Sequence, residues 1–117
     1  DTAGNTAEST YVSFFAPDPH FVDQMAEYNK IYDEKYGEFG AFGGPSALAA
    51  RIALEAVQRC VQAENLSRGC VRDEIAKTDM KTSILGVPVS FGAGNQLEGG
   101  EFFIFQVQEG QFVLVGP

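Results

Sequence analysis

The sequence predicts an α/β chain made of one early strand, three helices and a closing group of β-strands. Three observations predict this. Tyr11-Val12-Ser13-Phe14-Phe15 is a short, β-prone apolar run. Apolar residues then recur at helical spacing from Phe21 to Val57, and from Thr82 onward they alternate with a period of two.

Residues 1–10, DTAGNTAEST, are small and polar without periodicity and read as a loop or frayed end. The run 11–15 is a strand closed by the turn-like Ala16-Pro17-Asp18-Pro19. Asp18 is placed to cap a helix whose first residue is Pro19, where a missing N–H costs nothing. Phe21, Met25, Tyr28, Tyr32 and Tyr36 form one stripe of that helix, and Gly37 stops it. The stripe predicts a face docked on a sheet in preference to a tyrosine cage around a ligand. A glycine-rich connector, 38–44, leads to a second helix from Pro45 to Ala63. Its many alanines and aliphatics predict burial around much of its circumference. Residues 64–69 form a turn, and a third, short helix runs from Cys70 to Lys77. Val87, Val89 and Phe91 alternate up to the turn Gly92-Ala93-Gly94-Asn95. The runs 103–108 and 112–115 make a hairpin across Glu109-Gly110. There is no internal repeat. The apolar hairpin would expose uncovered edges in a domain this small, which suggests part of a larger α/β protein.

Composition limits the function. The chain has 117 residues, 44% of them hydrophobic, enough for a modest core. No apolar window is long enough to span a membrane. The formal net charge of −8 argues against a nucleic-acid partner or an anionic membrane surface, which require clustered Lys and Arg. The one basic cluster, Arg59, Arg68 and Arg72, is interrupted by Glu64, Asp73 and Glu74. The chain begins at Asp1 without a leader segment, as would a mature protein or a piece of a longer one.

The chemistry-bearing residues are sparse. The single histidine, His20, sits at a helix start and reads as an exposed first-turn residue. No nucleophile elbow or phosphate-binding glycine motif is present, so the chain does not read as an enzyme and calls for no cofactor. Two cysteines, Cys60 and Cys70, make a poor zinc site, and no metal is expected. They are either a disulfide or two buried thiols, and the disulfide is favoured. It would stabilise the fold by about 2–3 kcal/mol in the chain-entropy picture. Glu98 and Glu101 lack a third ligand and read as solvated charges.

Four stretches resemble the C-terminal portion of type I periplasmic binding proteins. The nearest group is the leucine/isoleucine/valine-binding receptors of branched-chain amino-acid ABC transporters. The first stretch, Tyr11 to Pro17, is similar to a strand that leaves the second lobe across a hinge. The second, Phe21 to Tyr36 ending Glu34-Lys35-Tyr36-Gly37, looks like that family's helix with a terminal KYG. The third is the alanine-rich helix from Ser46 to Arg59. The fourth joins Ile84 to Gly92 with Phe105 to Val113. Two features depart from the family: Ser46-Ala47-Leu48 replaces an aromatic and acidic pair, and the Cys60/Cys70 pair is not general there.

The resemblance implies a fragment of a two-lobed type I periplasmic-binding-protein fold. Residues 1–16 would end the second lobe and form a hinge strand. Residues 17–101 would belong to the first lobe, and 102–117 would return through the hinge as a terminal hairpin. It implies a periplasmic or extracellular protein that binds a small molecule, an amino acid above all, and delivers it to an ABC permease. Phe42, with Ala41 and Gly43, would line the cleft. The partner of this piece would be the N-terminal remainder of the same protein, or a second copy through exchanged strands. A ligand-sensing receptor domain on the same fold is the alternative.

Overall fold

The structure, a computed structural model, describes residues 4–37, 40 and 42–116. Its elements are β1 (Tyr11–Phe14), α1 (Ala26–Tyr36), α2 (Gly43–Gln62), α3 (Arg68–Ala76), β2 (Asp79–Met80), β3 (Val89–Phe91), β4 (Leu97–Glu98), β5 (Phe103–Gln108) and β6 (Gln111–Gly116). Three helices and closing strands are as the sequence predicts, with β2 and β4 added; Glu98, expected in a loop, lies in β4. The chain divides into two compact units. One joins the chain up to Pro17 with the chain from Gly100; the other is Asp18–Gly99. No described helix is long and apolar enough to cross a membrane.

The two-ended unit is an antiparallel sheet in the order β1-β5-β6. Tyr11 lies opposite Gln106 and Phe14 opposite Phe103, so the two ends of the chain meet in one ladder. Residues 4–7, read from sequence as loop, form a 3-10 turn. Beyond it, Ser9 N–H donates to the Val107 carbonyl and Val107 N–H to that of Thr10. Between β5 and β6, Glu109 and Gly110 both have positive φ, 53° and 75°. That is the backbone a tight two-residue hairpin requires. Phe105 and Val107 are buried, but Phe112, Val113, Leu114 and Val115 along β6 are exposed. A strand carrying apolar side chains to solvent on both faces lacks the layers that normally cover it.

The central unit holds the larger core. Along α2, Gly44, Leu48, Ile52, Ala56 and Cys60 are buried at a strict spacing of four. Leu54 and Val61, off that line, are exposed. The helix is therefore buried along one stripe and not around most of its circumference. Alanine's small side chain is compatible with solvent as well as core, and Ala49 and Ala50 are exposed while Ala56 is buried. Burying Leu48 and Ile52 contributes about 1.5–3 kcal/mol each.

The approach to α1 differs from the sequence expectation. Asp18 does cap the start, accepting from the His20 N–H at 2.9 Å. Two 3-10 turns, Pro19–Phe21 and Asp23–Met25, come before the α-helix, with Val22 extended between them. The Pro19 carbonyl accepts from the Val22 N–H and from Asn29 Nδ2 at 2.7 Å, taking the place of a helical amide. The break rotates the phase of α1 relative to the residues before it. Val22, Met25 and Asn29 face inward, while Phe21 is 75% exposed and Tyr36 65%. The tyrosine stripe is thus not the docked face.

α2 and α3 are clamped together. Cys60 and Cys70 form a disulfide, as favoured from the sequence, with their Cα atoms 6.0 Å apart. Ser67 caps α3 by accepting from the Cys70 N–H, which starts the helix two residues earlier than the sequence reading. Arg59 Nε donates to Glu74 Oε2 at 2.8 Å, and its Nη2 donates to the Glu74 carbonyl at 3.0 Å. Thr78 closes the helix by donating to the Ile75 carbonyl. A second small sheet comes next in the order β2-β3-β4, its turn carried by Asn95 and Gly94 at positive φ.

Candidate functional site

The candidate cleft residues sit where the connector enters α2. Gly43 N–H donates to the Gly40 carbonyl at 2.8 Å, so 40–43 is a closed turn. Phe42 occupies the N-cap position of α2 without a side-chain cap, and its carbonyl accepts from the Ser46 N–H at 3.0 Å. The Phe42 side chain is 64% exposed, an unusual place for a large ring. Gly43 is half-buried as the first residue of the helix. Ala41 lies outside the described residues.

What fixes this turn lies beneath it. A Cβ on Gly44 would stand 2.7 Å from Pro19 Cγ and 2.9 Å from Leu85 Cδ2, so only glycine lets the start of α2 come this close. Pro19 is itself held by the Asn29 side chain. Leu85 is buried, in a bend where the Leu85 N–H donates to Ser83 Oγ at 3.2 Å. A chain of packed, hydrogen-bonded residues from α1 through Pro19 and Leu85 thus sets the position of Phe42. Sequence reading noticed the glycines but not this role, because Pro19 and Leu85 are distant in the chain.

The electrostatics near the connector are mild. Twenty residues of α2 direct their N-terminal dipole toward the Phe42 turn, which favours negative charge there. His20 Nδ1 lies 2.9 Å from Asp18 Oδ1 and its Nε2 lies 3.8 Å from Asp33 Oδ2. Asn29 Oδ1 and Asp33 Oδ1, one turn apart, are buried without a donor among the described residues. Among the described residues no three His, Cys, Asp or Glu side chains gather as a metal site. The clearest shift of an ionisation lies elsewhere, at Glu74. The Lys77 ammonium and then the Arg59 guanidinium hold its carboxyl below the usual range, against a smaller opposing effect of desolvation.

Neither a protein-family model nor a curated protein matches the sequence. Among solved structures, the chain is similar to LivK, a leucine-binding protein from Thermotoga maritima, with a TM-score of 0.75 at 20% identity. The similarity covers 97% of this chain and 31% of that one. The chain thus spans about a third of the length of its solved neighbour, and its fold is that of a segment of a leucine-binding protein.

Proposed function

We infer that the chain is the C-terminal part of an extracytoplasmic solute-binding protein that captures an amino acid or related small molecule by hinge closure. The observation that carries this reading is the fold shared with a leucine-binding protein over almost the whole chain. The division into two units, linked by the chain at Pro17–Asp18 and again at Gly99–Gly100, supports it. Those links are hinge crossings in this reading, with the central unit in the first lobe and the two-ended sheet reaching the second. Ligand touches both lobes only in the closed form and so shifts the population toward closure. The closed form is the one an ABC permease accepts in the periplasm or extracellular space, and no bond is made or broken. Phe42, with Ala41 and Gly43, supplies an apolar wall on the first-lobe side.

The test is calorimetric titration of the full-length protein carrying this chain with leucine, isoleucine, valine and the other standard amino acids. One of them should bind, with a smaller radius of gyration in solution scattering when bound. Phe42→Ala should weaken binding about tenfold or more, the cost of losing a buried aromatic contact. The isolated chain should bind none of them. A full-length protein that binds no member of the panel, or binds without closing, refutes the reading. The exposed β6 favours one further reading, a strand-paired second copy of the isolated chain. Light scattering decides it, and a clean monomer excludes it.

A further inference from the structure

A groove runs along α3. Arg68, Val71, Arg72, Ile75 and Ala76 recur at spacings of three, one, three and one, which puts them on one face of the helix. That face lines an open groove of about 730 Å³ together with Leu66, Ser67, Phe91 of β3 and Asn95. Its size is that of small-molecule sites, roughly 300–1,000 Å³. The lining is mainly apolar, from Leu66, Val71, Ile75, Ala76 and Phe91, while Arg68 at the first residue of the helix and Arg72 at its middle add two positive charges, and Ser67 and Asn95 add polar groups.

The two positive charges are available. Arg68 makes no ion pair among the described residues. Arg72 bonds only its neighbour Asp73, at 2.7 Å, and both side chains are mostly exposed. An exposed pair of this kind contributes little and gives way to a better acceptor. The N-terminal end of α3 adds its dipole at the Arg68 guanidinium. A carboxylate can take up a guanidinium bidentately, and an aliphatic chain attached to it would run along Val71 and Ile75 toward Phe91. The chain as a whole carries −8, so anions have no general reason to adsorb to it.

We propose that the groove along α3 is a binding site for an amphipathic monocarboxylate, with its head group on Arg68 and Arg72 and its apolar tail over Val71, Ile75 and Phe91. This site is separate from the amino-acid cleft and stands or falls independently of it. The test uses the full-length protein carrying this chain and three probes followed by calorimetry and amide chemical shifts: decanoate, the uncharged decanol, and acetate, which has the head group alone. Decanoate should bind at least about tenfold more tightly than decanol, as a charge-assisted contact requires, and acetate should not bind measurably. Shifts should concentrate at residues 66–76 and 91. Arg68→Gln with Arg72→Gln, both at exposed positions, should remove the preference for decanoate and leave decanol binding unchanged. Decanoate binding no tighter than decanol, binding indifferent to the arginine substitutions, or shifts located on β6 would each overturn the proposal.

Discussion

Replacing Gly44 by alanine pits two effects of opposite sign against each other. Alanine is the better helix former, by up to about 1 kcal/mol at an interior position and less in a first turn. The added methyl group would stand 2.7 Å from Pro19 Cγ and 2.9 Å from Leu85 Cδ2. Pro19 can yield only through its ring pucker, and its carbonyl is held by Asn29. Leu85 is 4% exposed, so its methyl has no solvent to turn into. Overpacking of this kind costs about 1–3 kcal/mol, which outweighs the propensity gain. We expect a net loss of about 1–2 kcal/mol, a fall of several degrees in Tm for a chain of this size. Gly69→Ala is the control. It makes the same change in α3, where the new Cβ meets nothing nearer than Ser67 Oγ at 4.0 Å, so it should be neutral or slightly stabilising. Urea unfolding of the three proteins, with unchanged slope, measures both. A Gly44→Ala protein as stable as its parent would refute the close approach of α2 to Pro19 and with it the account of how Phe42 is held.

Three further outcomes are expected from the structure. Reduction of Cys60–Cys70 should lower stability by about 2–3 kcal/mol, the chain-entropy value for a loop this short, read as a lower urea midpoint once both thiols titrate. Glu74 has a folded-state pKa lowered by Lys77 and Arg59, so its contribution is present above its unfolded value near 4.5 and is lost as pH falls through the folded one. Glu74→Gln should therefore be less stable than the parent at neutral pH and converge with it in acid, whereas a constant gap across pH would contradict the ion-pair account. In the β5–β6 turn, Gly110→Ala should destabilise by about 1 kcal/mol, because φ of 75° suits glycine, and Glu109→Asn should raise the midpoint slightly. Thermal melts of both variants would show whether the turn has the primed geometry.

Local chemistry made most of the fold legible. Glu109-Gly110 between apolar runs and two cysteines flanking a turn each act over a few residues and appear where the sequence put them, whereas Asp18 before Pro19 caps a 3-10 turn and not the α-helix, which starts only at Ala26. The phase of α1 was not legible, because it depends on Asn29 reaching back ten residues to the Pro19 carbonyl. That bond ties the 3-10 turns to α1, and in this arrangement Phe21 lies off the buried face. The burial of α2 was overstated for a related reason, since alanine is compatible with both core and solvent. Of the candidate site, Phe42 and Gly43 are placed at one helix start, while Ala41 lies outside the described residues. The α3 groove was missed because the predicted helix began at Cys70, which left Arg68 in a loop and concealed its spacing with Arg72 and Ile75.

The ladder that pairs Tyr11 with Gln106 has a consequence for the order of folding. Every bond between β1 and β5 closes a loop that contains the entire central unit, whereas the β5–β6 hairpin and the α2–α3 pair are local. Closing a long flexible loop is entropically slow, and a loop already collapsed into a folded unit is much shorter in effect. The central unit should therefore form first and bring the two chain ends together, with β1 joining last. The same order makes β1 the first strand to open in the native protein. Its amides should exchange with solvent by local detachment, well before those of α2.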